Sequence, residues 1–146
     1  MNPLTASAAA LIFNPQGEVL IVKPTYKAYW NLPGGHIDIE NGETPYDAAV
    51  REVGEELGIA PPIGRLLVHA WITVPGRGAQ VLYLFDGGTL GPGEQRAITL
   101  QESELSEYRF HYPAEKDDGV VPPDLRHVWE QALLARREDR IAYVSA

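Results

Sequence analysis

The segment Leu66 to Asp86 constrains the fold more than any other part of the chain. It reads LLVHAWITV, then Pro75-Gly76-Arg77-Gly78, then AQVLYLFD. Strand-favouring residues fill both arms and turn residues lie between them, so the segment predicts an antiparallel hairpin long enough to form the centre of a sheet. A second hairpin is expected from AAALIF (Ala8 to Phe13) and VLIVK (Val19 to Lys23), joined by the turn-rich NPQGE. Tyr29 to Leu32 reads as a short strand stopped by Pro33-Gly34-Gly35, and Glu107 to His111 as a further strand. Gly87 to Gly93 reads as a flexible loop; it lacks the Gly-Lys-Ser/Thr ending of a phosphate-binding loop. Two helices punctuate these strands. One follows Glu43. The other covers Asp124 to Asp139, behind Pro122-Pro123, with Leu125, Val128, Ala132 and Leu133 turned inward. Mixed strands with two separated helices indicate an α/β or α+β sandwich. At 146 residues the chain reads as a single domain, 1–146, with room for a core of its own.

The first helix carries an unusual charge pattern. Thr44 is a good N-cap, Pro45 suits the first helical position, Asp47 completes a capping-box pattern, and Gly58 is placed to end the helix. At 100° per residue, Tyr46, Ala49, Val50, Val53 and Leu57 share the expected core side, and Ala48, Glu52, Glu55 and Glu56 the opposite one. Most charge runs on helices are solvated faces. Here no Lys or Arg stands four residues after any of these glutamates, and they sit in the helix half where the macrodipole disfavours anions. A divalent cation explains the pattern, and carboxylates without soft ligands favour Mg²⁺ or Mn²⁺.

Composition narrows the partners. With 20 acidic against 12 basic residues, the net charge of −8 offers no footprint for duplex nucleic acid or an anionic membrane. An acidic protein that handles anions needs cations as intermediaries. The absence of cysteine excludes thiolate metal sites and thiol catalysis. The run Ala8 to Phe13 is too short to span a bilayer, and no Lys or Arg precedes Lys23, so a secretory signal lacks its basic region. A cytoplasmic location is the expectation.

From Glu43 the chain reads Glu, seven residues, Arg51-Glu52-Val53, one residue, Glu55-Glu56, one residue, Gly58-Ile59. With Leu32-Pro33-Gly34-Gly35 before it, this resembles the signature of the Nudix hydrolases, Gly-x5-Glu-x7-Arg-Glu-U-x-Glu-Glu-x-Gly-U, where U is aliphatic. One departure is visible. Seven residues (HIDIENG) rather than five separate Gly35 from Glu43, which reads as a two-residue extension around Asp38 to Asn41.

The resemblance implies an α/β/α sandwich with a mixed central sheet. It implies Mg²⁺-dependent hydrolysis, with Mn²⁺ as the alternative ion, of the pyrophosphate bond in a nucleoside diphosphate linked to another moiety. Glu52 and Glu56 would be direct metal ligands, with Glu55 and the Gly35 carbonyl beside them. Arg51 would hold the glutamates in position and Glu43 would support that network. For the general base, the resemblance leaves two choices open: Glu55, or a glutamate of QESELSEYRF (Gln101 to Phe110), where Glu107 is preferred to Glu102 and Glu104. Among other residues, Tyr29 and Trp30 are candidates to stack on a base, although aromatics in a strand are more often core, and His36 is a candidate to touch a phosphate.

His36, His69, His111 and His127 show no metal-ligand spacing, and His69 reads as a core or rim residue. Trp71, Tyr83 and Phe85 read as core. Lys23, Lys27, Arg65 and Arg77 read as surface cations, with phosphate contact as the lesser alternative. The resemblance also allows a homodimer, although no sequence feature marks an interface. Two readings compete with the hydrolase. A Nudix-like sensor would bind a nucleotide or sugar-nucleotide without turnover. A diphosphate isomerase of the same fold would use a catalytic cysteine, which this chain lacks.

Overall fold

The structure, a computed structural model, describes residues 4–112 and 119–146. Seven strands form one sheet: β1 (Thr5–Phe13), β2 (Val19–Pro24), β3 (Gly34–His36), β4 (Leu66–Val74), β5 (Gly78–Thr89), β6 (Leu105–His111) and β7 (Ala142–Ser145). The order is β6-β2-β1-β5-β4-β7, with β3 paired to β1 off that path. β1 runs parallel to β5 and β4 parallel to β7, and the other pairs are antiparallel, so the sheet is mixed. The free edge of β1 is divided. β3 takes its first half, from Ser7↔His36 to Ala9↔Gly34, and β2 meets it at Phe13↔Val19.

Both faces of the sheet are covered. In β1 the pleat sends Ala9, Leu11 and Phe13 to one side and Ala8, Ala10 and Ile12 to the other. Helix α3 (Arg126–Arg137) closes the first side with Val128, Ala132 and Ala135. Helix α1 (Pro45–Leu57) closes the second with Ala48, Ala49, Val53 and Leu57. This is the α/β/α sandwich expected from the sequence. A short helix, α2 (Pro92–Arg96), follows β5. No helix among the described residues is long and apolar enough to cross a membrane.

The structure corrects several local expectations. Tyr29 to Leu32 is not a strand; Asn31 makes only an isolated bridge with Val22. The strand lies one step later, on the glycines expected to stop it. A Cβ on Gly34 would sit 2.3 Å from the Ala8 carbonyl oxygen and 2.5 Å from the Ala9 Cβ, so only glycine lets β3 approach β1 this closely. Gly87 to Gly93 is not a flexible loop either, because β5 continues to Thr89 and α2 begins at Pro92. β7 went unread in the sequence. Trp71 is exposed rather than core, whereas Phe85 is buried and Tyr83 half-buried.

The largest correction concerns α1. Tyr46 and Val50, assigned to the core side, are 43% and 41% exposed, while Ala48 and Glu56 are buried. The helix packs on β1 and β3, so the face it buries is turned toward Ala48, Glu52 and Glu56. Tyr46 instead donates its hydroxyl hydrogen to the Ile63 carbonyl at 2.7 Å, with its ring edge-on to Phe85.

Candidate active site

Thr44, Pro45 and Gly58 bound α1 as expected, whereas the capping box is formed only from the Thr44 side. The Thr44 hydroxyl accepts from the Asp47 N–H at 3.1 Å, and Gly58 ends the helix in the left-handed region at φ 67°. Thus anchored, the helix lays Glu52 and Glu56 against the two glycines of β3. The Gly34 N–H donates to Glu56 Oε1 at 2.7 Å. A Cβ on Gly35 would stand 2.6–2.7 Å from the Glu52 carboxylate, so β3 and the acidic face are in direct contact.

Arg51 ties the remaining carboxylates together. Its Nε and Nη2 donate to the two oxygens of Glu43 at 2.7 and 3.0 Å, the forked geometry that makes such pairs strong. Nη1 donates to Glu52 Oε1 at 2.9 Å and Glu55 Oε2 at 3.2 Å, and Nη2 also reaches the His36 carbonyl at 3.1 Å. The Arg51–Glu55 pair supplies the i,i+4 compensation that looking forward from each glutamate had missed. The two extra loop residues are absorbed by a 3₁₀ turn at Ile39–Asn41, closed by Gly42 at φ 76°. The Asp38 N–H then donates to Glu43 Oε1 at 2.9 Å, which returns Glu43 to Arg51 despite the extension.

The electrostatics divide these acids into two groups. Hydrogen bonds from Arg51, and then from the Asp38 N–H, hold the Glu43 carboxyl down at about 2. Arg51 is raised, first by its bond to Glu43. Glu52 is raised by burial, with Arg51 opposing. Burial pushes Glu56 up to about 8 against the Gly34 N–H, and the charges of Glu52, Glu104 and Glu55 push in the same direction as burial.

This shift has a consequence for stability. Glu56 binds its proton more tightly in the folded chain than in the unfolded one, where it titrates near 4.5. Its contribution is complete below pH 4.5 and is lost as pH rises to about 8. The metal-free protein is expected to lose roughly 3–5 kcal/mol over that interval. Glu43, with its lowered pKa, acts in the opposite sense but below pH 4.5, outside this window. Urea unfolding of metal-free protein at pH 5.5 and 8.5 checks the prediction, and equal stabilities would overturn it.

Glu104 is the site residue that the sequence did not favour. The chain after α1 folds back on the end of the helix: the Thr99 N–H donates to the Leu57 carbonyl, and the Gln101 N–H to the Glu56 carbonyl. This brings the charge of Glu104 to bear on both Glu52 and Glu56. Glu107 lies exposed in β6, opposite Lys23. Glu102, Glu104 and Glu107 look alike in sequence; only the return of the loop to the helix end separates them.

Trp30 is 8% exposed, packed in the core beneath α3, with the Arg109 guanidinium 4.6 Å from its ring centre. It is a core aromatic and not a surface platform for a base. His36 stays exposed beside the site. On the other side of β3, a cleft of about 190 Å³ is lined by Ser7, Asn31, Gly34, Gly35, His36 and Gln80, among others.

Among the described residues, no three His, Asp or Glu side chains already converge tightly enough to hold a metal ion. The donor chemistry nevertheless fits a hard divalent cation. Every acidic oxygen here is a carboxylate oxygen, and Glu52 Oε2, Glu55 Oε1 and Glu56 Oε2 take no hydrogen bond from the described residues. Burial and mutual repulsion of the acids are relieved by a positive charge at this position.

A family model described as NUDIX domain matches residues 3–137. Phosphatase NudJ of Escherichia coli strain K12 is 41% identical over 66 residues, 43% of this chain and 42% of the relative; the match thus spans less than half of either protein. Among solved structures, the MutT protein from Methanosarcina mazei Go1 superposes with a TM-score of 0.77 at 25% identity, covering 94% of this chain and 96% of the other. An ADP-ribose pyrophosphatase from Streptococcus suis 89-1591 gives 0.65 at 21% identity over 97% and 98% of the two chains. A C. elegans Ap4A hydrolase gives 0.68 at 20% identity over 90% and 98%. These last two likenesses speak for the fold alone.

Proposed function

Because the chain belongs to the Nudix family, we propose that it hydrolyses the pyrophosphate bond of a nucleoside diphosphate linked to another moiety, with Mg²⁺ or Mn²⁺. The oxygen of water forms a bond to one phosphorus as the bridging P–O bond breaks, giving a nucleotide and a phosphorylated leaving group. The observation that carries this reading is the buried Glu56 carboxylate, set against β3 and crowded by Glu52, Glu55 and Glu104. A stabilising surface has no use for such repulsion, whereas a site that pairs an anionic face with an anionic substrate through cations does.

Glu52, Glu55 and Glu56, with the Gly35 carbonyl, would hold the ion, which when bound supplies charge neutralisation and activation of water. Arg51 fixes the angles of Glu52 and Glu55, and Glu43 fixes Arg51. The general base is Glu55 or Glu104. Both press on the Glu56 charge, Glu55 from the helix and Glu104 from the returning loop.

Product release from a panel of sugar nucleotides, ADP-ribose, dinucleotide polyphosphates and nucleoside triphosphates tests the proposal, with wild type beside Glu55→Gln and Glu104→Gln. Wild type is expected to turn over at least one compound class in Mg²⁺ or Mn²⁺. The variant that removes the base is expected to lose about 10²–10⁴ in kcat. Binding without turnover on every compound would favour a sensor instead.

A further inference from the structure

The cleft behind β3 differs in charge from the rest of the molecule. Among the described residues none of its lining side chains is acidic, in a chain with 20 acidic residues. Lys27 stands in its wall, and the Lys27 ammonium has no carboxylate partner among the described residues; its neighbour is the Tyr26 ring, 5.6 Å away at the centroid. Two of the chain's three lysines, Lys23 and Lys27, fall in this one turn. The turn is braced. Lys23 Nζ donates to the Pro24 carbonyl at 3.1 Å and to the Lys27 carbonyl, and the Thr25 N–H donates to the Glu104 carbonyl at 2.9 Å. Lys27 is therefore carried on backbone that is fixed to the same loop as Glu104.

The cleft and the acidic face share Gly35, which lines the one and touches Glu52 of the other. A molecule with its diphosphate at the glutamates thus reaches the cleft across the two glycines of β3. A cation with no carboxylate beside it, in a cleft whose described lining carries no acid, selects for negative charge in what enters. A solvated surface lysine needs no such bracing.

We propose that Lys27 reads a phosphate group of the substrate in this cleft. The inference rests on the pyrophosphohydrolase reading for what occupies the cleft, but its test does not require turnover. The probes are a nucleoside triphosphate and the corresponding diphosphate, each with a methylene group in place of the α,β-bridging oxygen so that this bond cannot be hydrolysed. Binding is measured by calorimetry in Mg²⁺ for wild type, Lys27→Gln and Lys27→Arg.

Lys27→Gln is expected to weaken binding roughly three- to tenfold, the range for one partly exposed charge contact, and Lys27→Arg to recover most of the loss. A loss confined to the triphosphate assigns Lys27 to a terminal phosphate. An equal loss for both analogues assigns it to the diphosphate itself. Unchanged binding in Lys27→Gln, no recovery in Lys27→Arg, or no binding of either analogue by wild type overturns the inference. Wild type that binds both analogues through Lys27 but turns over nothing in the panel would leave the inference standing and remove the hydrolase reading.

Discussion

Glu56→Gln is expected to reduce turnover by about 10³-fold or more, in the range seen when one electrostatic element of a catalytic site is removed. The amide keeps the shape and can still accept from the Gly34 N–H, so the substitution removes charge and little else. It is also expected to abolish thermal stabilisation by Mg²⁺. For wild type that stabilisation amounts to about 2.7 kcal/mol at a hundredfold excess of ion over its Kd. The metal-free variant, in contrast, is expected to be more stable than wild type at pH 8, since no charge is left to bury. Opposite signs for stability and activity separate a functional carboxylate from a structural one. The test is a melting series at pH 8 with and without Mg²⁺, run beside the product assay. A variant that melts below wild type without metal, or keeps its Mg²⁺ response, would sink this account of Glu56.

Gly34→Ala is the second large effect. The added Cβ meets the Ala8 carbonyl oxygen at 2.3 Å and Ala9 Cα and Cβ at 2.5 Å. Two of these are backbone atoms, which cannot rotate away, so β3 must part from β1. The Gly34 N–H that binds Glu56 leaves with it. A destabilisation of about 3 kcal/mol or more is expected, at the upper end for overpacking. Gly17→Ala is the control. Gly17 sits in the left-handed region, at φ 80°, but a methyl group there would meet nothing within 4 Å, so only backbone strain of about 1–2 kcal/mol applies. Urea midpoints for the two variants check this. If Gly34→Ala unfolds no earlier than Gly17→Ala, the close approach of β3 to β1 is not what holds the site.

The elements read correctly from the chain are those set by local chemistry. Thr44, Pro45 and Gly58 bound α1 because a cap, a pre-set φ and a left-handed residue each act within a turn or two of backbone. The hairpin from Leu66 to Asp86 was legible because strand formers and a turn alternate within about twenty residues. The Arg51 and glutamate spacing marked the acidic cluster for the same reason: a helix fixes the relative directions of residues three and four apart. β7 was missed because four residues, AYVS, form a strand only when β4 is there to pair with them.

The sequence by itself determined the sandwich, the helix that carries the acids, and which acids share it. Tertiary structure alone decided what those acids experience. Glu56 is buried because α1 packs on β1 and β3, a contact that helical periodicity within 45–57 cannot report. β1 leaves no room for a side chain at Gly34, and Glu52 leaves none at Gly35, although locally the two glycines read as a stop. The charge of Glu104 reaches Glu52 and Glu56 because the 97–104 loop satisfies carbonyls at the end of α1, across more than forty residues of chain. The reason is the same throughout: local propensity fixes direction within an element, whereas burial and long-range charge depend on which elements come to lie against each other.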